Sequence, residues 1–124
     1  MKTVLVIDDI LEMRENIAEI LELAGYIVLT AENKGNGIDM ALNSKSDLII
    51  CHINKPETDG FEVLQKVRTN KKTKKIPFLL VTANPENREK LKDMHLSADS
   101  YIVKPFDANE LRNIVAEKVK SVVH

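Results

Sequence analysis

Five polar side chains stand at the ends of short apolar runs, and their types suit phosphate and metal chemistry. Asp8 and Asp9 follow the run TVLVI, His52 closes LIICH, Thr82 closes FLLVT, and Lys104 follows YIV. Two carboxylates supply oxygen ligands of the kind that Mg²⁺ prefers, while a hydroxyl and an ammonium group bind phosphoryl oxygens. The sequence contains no P-loop, no GxGxxG and no GxSxG motif. These residues therefore indicate a phosphoryl-handling site, provided that the fold brings them together.

The apolar runs predict strands, and the segments between them have the apolar spacing of helices. The predicted strands cover residues 3–7, 27–31, 48–52, 78–82 and 101–103. The predicted helices lie within residues 13–24, 38–42, 61–67, 85–94 and 107–122, with Gly25 at the C-cap of the first helix and Asp107 as the cap that begins the last. This alternation is typical of an α/β fold, a doubly wound five-stranded parallel sheet with helices on both faces. Ligands bind at the carboxyl ends of strands in such sheets, so four strand ends should place their polar residues in one crevice.

Length and composition favour a single globular domain over residues 1–124. The chain has 124 residues, of which 44% are hydrophobic and 30% charged, with a formal net charge of -1. No strong field attracts the domain to nucleic acid, and no apolar run approaches the roughly 18 residues of a membrane helix. A single cysteine, Cys51, excludes an intramolecular disulfide. We expect a soluble, cytoplasmic domain that binds neither nucleic acid nor membrane by itself.

Four segments of the sequence closely resemble the receiver domain of two-component response regulators, including chemotaxis regulators. They are VLVIDD at 4–9, SDLIICHINKPETDGFEVL at 46–64, LLVTA at 79–83 and ADSYIVKPF at 98–106. The resemblance covers essentially the whole chain. It implies a flavodoxin-like fold with strand order 2-1-3-4-5 and a signalling function in a two-component or phosphorelay pathway. It also implies that the domain acts by protein–protein contact and is not an enzyme.

The same resemblance implies a metal and phosphate site. Asp8 and Asp9 match the acidic pair that holds Mg²⁺, and Asn54 matches the residue whose backbone carbonyl completes that metal site. Thr82 matches the hydroxyl that follows the phosphoryl group during switching. Lys104 matches the phosphate-binding lysine.

Two further matches concern switching and partners. Tyr101 matches the aromatic residue that changes rotamer during switching, and Pro105 matches a proline that usually follows a cis peptide bond. The family uses the face formed by the fourth helix, the fifth strand and the last helix for dimers and outputs. The implied partners are a sensor histidine kinase or phosphorelay protein, a second copy of the chain, and a downstream target.

One position departs from the family pattern at the centre of the site. The family places a phosphorylatable Asp at the end of the third strand, in a pattern like D-I-x-M-P-x-x-D-G, whereas this chain reads HINKPETDG at 52–60. His52 takes the acceptor position, Lys55 replaces the usual Met, and Asp59 belongs to the following turn. We therefore expect no aspartyl phosphorylation. An ordinary phospho-accepting receiver with an introduced Asp-to-His change at 52 remains the alternative.

The chemistry of His52 leaves several hypotheses open. Two nearby carboxylates favour the imidazolium, so a protonated His52 paired with Asp8 or Asp9 would partly replace the divalent cation and weaken Mg²⁺ binding. One imidazole and two carboxylates also suit Zn²⁺, Mn²⁺ or Ni²⁺, although this ligand set is incomplete. Phosphoryl transfer to His52 itself is a third hypothesis, although the surrounding site is built around a carboxylate and packing at the strand end restricts the imidazole. A hydrolytic site built on Asp8, Asp9 and His52 would make the protein an enzyme, but the sequence shows no nucleophile paired with an orienting base.

A basic segment, RTNKKTKK at 68–75, connects the third predicted helix to the fourth strand. No aromatic residue is interleaved for stacking on bases. We therefore predict a solvated loop rather than a nucleic-acid site. Cys51 points to the opposite side of its strand from His52, so it is predicted to lie in the core.

Overall fold

The computed structural model describes residues 1–53, 60–84, 86 and 100–120. Its strands are β1 (Thr3–Ile7), β2 (Ile27–Ala31), β3 (Leu48–Ile53), β4 (Phe78–Thr82) and β5 (Ser100–Val103). Its helices are α1 (Leu11–Leu23), α2 (Lys34–Asn43), α3 (Gly60–Thr69) and α4 (Ala108–Lys120). The helix predicted at 85–94 and the residues Asn54 and Lys55 lie outside the described residues. None of the helices described here is long and apolar enough to cross a membrane.

The five strands form one parallel sheet in the order β2-β1-β3-β4-β5, which confirms the predicted fold class. The register aligns the carboxyl ends of the inner strands. Ile7 is paired with Cys51, and Thr82 is paired with both Ile53 and Val103. The residues that follow these pairs therefore emerge at the same edge of the sheet.

Side chains alternate along the strands and form two cores, one on each face of the sheet. One core joins the sheet to α1 and α4 and includes Val4, Val6, Ile50, Ile17 and Leu111. The other joins the sheet to α2 and α3 and includes Leu5, Ile7, Cys51, Ala41 and Leu64. Cys51 is buried there, as predicted. Because Val6 and Ile50 face α1 and α4, alternation directs Asp8 and His52 to the same side of the sheet.

Two predicted helix ends are confirmed by their backbone geometry. Gly25 follows α1 with φ of 98°, and its N–H donates to the Glu22 carbonyl at 3.0 Å. The Tyr26 N–H donates to the Leu21 carbonyl at 3.1 Å, which completes a Schellman motif. At the start of α4, Asp107 Oδ1 accepts a hydrogen bond from the N–H of residue 110 at 2.7 Å.

Candidate functional site

The centre of the site is a buried contact between the tips of two adjacent strands. Asp8 and His52 each follow the last register pair of β1 and β3, which joins Ile7 to Cys51. His52 Nδ1 lies 3.5 Å from Asp8 Oδ1, with side-chain exposures of 1% and 0% respectively. The predicted meeting of the imidazole with the acidic pair is thus present in the structure. Both side chains are shielded from bulk water, so their mutual electrostatics are weakly screened.

The ionised form of the Asp8 carboxylate is disfavoured by burial, even though positively charged groups lie nearby. Its Oδ1 accepts a hydrogen bond from the Ile10 N–H at 2.9 Å, and its Oδ2 is buried with no hydrogen-bond partner among the described residues. Burial raises the pKa of Asp8, whereas the Ile10 N–H, His52 and Lys104 oppose that rise. The net pKa is raised, so the present cations do not fully compensate the buried charge.

Asp9 completes a cluster of three potential ligands. Asp9 is exposed, and one ligand atom from each of Asp8, Asp9 and His52 lies within 4.8 Å of the others. This donor set contains two carboxylates and one imidazole. Mg²⁺ prefers an octahedral shell of oxygen atoms, so the nitrogen of His52 makes the set a poor fit for Mg²⁺. Mixed nitrogen and oxygen ligands are typical of transition ions instead.

The tips of β4 and β5 are joined to each other beside this cluster. Thr82 is buried, and its hydroxyl accepts a hydrogen bond from the Asn84 N–H at 3.0 Å and donates to the Asn84 carbonyl at 3.2 Å. The Lys104 N–H donates to the Thr82 carbonyl at 2.9 Å. Burial lowers the pKa of Lys104, and attraction by Asp8 and Asp9 opposes that shift. The ends of β1, β3, β4 and β5, here called the pocket, therefore lie side by side at one edge of the sheet, and Lys104 is close enough to Asp8 and Asp9 to attract them.

Of the remaining predicted residues, the structure describes Tyr101 and Pro105. Tyr101 is half-buried on β5 and packs against the core that faces α2 and α3. The peptide bond between Lys104 and Pro105 is cis, as the resemblance implies. Asn54, the predicted source of a backbone carbonyl ligand, lies outside the described residues. The functional roles of these residues remain predictions.

Two contacts of Asp8 escaped the sequence analysis. The Ile10 amide binds its carboxylate, and the Arg14 guanidinium donates to its backbone carbonyl at 2.9 Å. An N–H two residues after an Asp is a common local partner, so the first contact has a weak sequence signal. The second depends on how α1 packs, although a basic residue in the first turn of the next helix is a visible hint.

Comparison with known proteins identifies a family that this chain matches. The response regulator receiver domain family matches residues 4–116. The chain is 38% identical over 110 residues to the phosphate regulon transcriptional regulatory protein PhoB of Pseudomonas aeruginosa, covering 89% of this chain and 48% of that protein. It is 37% identical over 106 residues to the response regulator ArlR of Staphylococcus aureus, covering 82% and 47%. The chain thus spans about half the length of the curated relatives it matches.

Solved structures show the same fold. The chemotaxis response regulator CheY4 of Vibrio cholerae superposes with a TM-score of 0.85 at 30% identity, covering 95% of this chain and 98% of that one. The response regulator TrrA of Thermotoga maritima, solved in complex with Mg²⁺ and BeF, gives 0.82 at 36% identity, covering 95% and 99%. These similarities confirm the flavodoxin-like architecture that the sequence motifs imply.

Proposed function

The chain belongs to the response regulator receiver domain family, and from this premise we propose that it is an atypical receiver that signals without an aspartyl phosphate. The observation that carries the proposal is the position of His52, whose ring nitrogen lies 3.5 Å from the buried Asp8 carboxylate. An aspartyl phosphate is an acyl phosphate, which requires a carboxylate oxygen to attack phosphorus. The imidazole of His52 has no such oxygen. We propose that residues 1–124 form one receiver domain.

The charge of the pocket supports a reduced need for a divalent ion. Asp8, Asp9 and Lys104 carry a net charge of -1, and a protonated His52 brings this sum to zero. An imidazolium beside Asp8 supplies part of the positive charge that a divalent cation gives in receivers with three carboxylates. We therefore propose that Mg²⁺ binds weakly here, because both a ligand oxygen and the electrostatic attraction are reduced.

A second candidate is a transition-metal site on the same three residues. The observation that favours it is the spacing of the ligand atoms, since 3.5 Å between His52 Nδ1 and Asp8 Oδ1 is close to a tetrahedral edge. Zn–N and Zn–O bonds of about 2.0–2.1 Å give an edge of about 3.4 Å. Metal analysis of protein purified without an affinity tag tests it. Stoichiometric Zn²⁺, Mn²⁺ or Ni²⁺ supports this candidate, and its absence after equilibration with those ions excludes it.

The geometry at Thr82 supports a signalling function rather than catalytic turnover of a substrate. The Thr82 hydroxyl exchanges two hydrogen bonds with the Asn84 backbone, which supports a positional role over that of a nucleophile. We propose that the domain acts in the cytoplasm on a sensor histidine kinase, a phosphorelay protein or a second copy of itself. The proposed contact face comprises β5, α4 and the helix predicted at 85–94. We propose that this domain alone binds neither nucleic acid nor membrane. Turnover of generic ester substrates would instead favour a hydrolytic site.

Incubation with acetyl phosphate tests the central part of the proposal. Wild type, His52→Asp and His52→Asn are each incubated with acetyl phosphate and Mg²⁺, and intact masses are measured at neutral pH. We expect only His52→Asp to gain one phosphoryl group, because only that variant restores a carboxylate beside Asp8 and Lys104. A gain of mass by the wild type would refute the proposal, and acid lability of that gain would point to a phosphohistidine. No gain in His52→Asp would show that residues other than His52 block the reaction.

A further inference from the structure

A cavity lies at the opposite edge of the sheet from Asp8 and His52, and we propose that it binds a small organic phosphate. The cavity has a volume of about 660 Å³, within the size range of small-molecule sites. Its walls come from the end of α2, the segment that leads into β3, and the basic loop between α3 and β4. None of its lining residues belongs to the pocket described above, so this inference stands apart from the proposed function.

The cavity has an excess of positive charge. Lys45, Lys72 and Lys75 line it, and none of the three forms an ion pair with another residue in the described part of the chain. Among the described residues that line the cavity, Asp47 is the one carboxylate, and its Oδ2 accepts a hydrogen bond from the Thr3 N–H at 2.8 Å. This hydrogen bond holds the Asp47 carboxylate at the start of β1. Three ammonium groups thus remain available to an anion, and lysine binds phosphate well as a point charge.

A buried hydroxyl gives the cavity a second polar feature. Ser46 lines the cavity and is 9% exposed, and its Oγ has no hydrogen-bond partner among the described residues. Buried polar groups in native proteins usually have a partner, so one that lacks it calls for an explanation. A phosphoryl oxygen is a strong acceptor for a hydroxyl proton. The Ser46 hydroxyl and the lysines therefore suit the same ligand group.

The basic loop is held in place rather than freely solvated, which refines the sequence prediction for it. The Arg68 guanidinium donates to the carbonyls of Ile76 at 2.7 Å and Lys74 at 3.2 Å. The Thr73 hydroxyl, which is buried, donates to the Val67 carbonyl at 2.7 Å. These bonds fix the backbone that carries Lys72 and Lys75. A preorganised backbone lowers the entropic cost of binding a ligand.

The apolar residues of the lining indicate what the non-phosphate part of the ligand is like. Leu42, Ile76 and Pro77 contribute an apolar wall beside the lysines. Inorganic phosphate would leave that wall uncovered, whereas a phosphate ester with an apolar or planar body would cover it. An extended nucleic acid would instead need an open basic stripe with aromatic side chains for stacking. The combination favours a molecule of about nucleotide size with a terminal phosphate.

Titration with three phosphates tests this site. Adenosine 5′-monophosphate, glucose 6-phosphate and inorganic phosphate are added to ¹⁵N-labelled protein, and amide shifts are followed. We expect saturable shifts in residues 41–46 and 72–77, with at least one ester binding tighter than inorganic phosphate. The double variant K72Q/K75Q should weaken ester binding at least tenfold, and Ser46→Ala severalfold. The variant K71Q/K74Q removes the same charge from the same loop but not from the cavity, so its affinity should stay within twofold of wild type.

Several outcomes would overturn the inference. They are the absence of saturable shifts with all three phosphates, equal losses in the two double variants, and tighter binding of a poly-glutamate peptide or a single-stranded oligonucleotide. Thermal unfolding of each variant verifies that a loss of binding does not reflect a loss of fold. His52→Asp should bind the same ester as wild type does. Ester binding by His52→Asp therefore tests the cavity independently of the proposed function at His52.

Discussion

Replacing His52 by Asp should destabilise the metal-free protein and make its stability depend on Mg²⁺. In the wild type, His52 Nδ1 lies 3.5 Å from Asp8 Oδ1, and the two side chains are 1% and 0% exposed. The substitution replaces a group that attracts the Asp8 carboxylate with one that repels it. Because neither side chain reaches bulk water, solvent cannot relieve the repulsion, and only a proton or a metal ion can.

The size of the effect has two bounds. Two like charges about 3.5 Å apart repel by about 5 kcal/mol at an effective dielectric constant of about 20. A carboxyl group can escape this repulsion by holding a proton, which at pH 7 costs about 4 kcal/mol for an ordinary pKa near 3.9. Burial already raises the pKa of Asp8, which reduces that cost. We therefore expect His52→Asp to lose about 2–4 kcal/mol of unfolding free energy in EDTA at pH 7.

The pH dependence has a definite sign. In His52→Asp the folded-state pKa of Asp8 rises further, so the folded protein holds a proton that the unfolded chain has released. Stability contributed by that proton is present below about pH 4 and is lost as pH rises toward the folded-state pKa. The repulsive part of the loss should therefore disappear in acid.

Urea and thermal unfolding of wild type, His52→Asp and His52→Asn, each in EDTA and in millimolar Mg²⁺, measure the effect. For a chain of this length, 1 kcal/mol corresponds to about 4 °C in Tm. His52→Asp should be the least stable in EDTA and should gain most from Mg²⁺, whereas wild type should gain little. His52→Asn removes the imidazole without adding a charge and should lie between them. The reasoning is refuted if His52→Asp matches wild type in EDTA, or if Mg²⁺ stabilises both equally.

Three further substitutions test other parts of the account by urea unfolding. Asp8→Asn should become more stable relative to wild type as pH rises from about 4 toward 7, because burial raises the pKa of Asp8 in the folded protein. The exposed control Asp9→Asn should show little such change, and a difference between Asp8→Asn and wild type that does not vary with pH would contradict the expectation. Gly37→Ala should cost about 1–3 kcal/mol, because its Cβ would lie 2.7 Å from Ile7 Cδ1. Ile7→Val should recover part of that loss, and strictly additive effects would argue against the clash. Gly25→Ala should cost about 1–2 kcal/mol, because Gly25 has φ of 98°, and an equal loss in Gly25→Asn would dispute the backbone explanation.

The inner strands β1, β3 and β4 were predictable because both of their faces are buried, which leaves a signal of continuous apolar, often β-branched residues. The predicted strand at 48–52 extends to Ile53, and the one at 101–103 begins at Ser100. The end of α1 was predictable because Gly25 adopts a backbone conformation that other residues disfavour. Parallel pairing then aligns the strand ends, so the meeting of Asp8 with His52 followed from topology alone.

What the sequence could not supply depends on loop conformation and on contacts between distant segments. The Thr82 hydroxyl binds the Asn84 backbone, a geometry set by the turn after β4. The cavity brings Ser46 beside Lys75, and the basic loop alone reads as ordinary solvated charge. The hydrogen bonds that hold this loop join the Arg68 guanidinium to the carbonyls of Lys74 and Ile76, and no local sequence pattern predicts them.

A single reaction vessel gives the most direct test of the central claim. Equal amounts of wild type and His52→Asp are mixed with acetyl phosphate and Mg²⁺, and both intact masses are read from one spectrum. The account predicts one added phosphoryl group on His52→Asp and none on the wild-type chain beside it. A phosphorylated wild type under those shared conditions would contradict it.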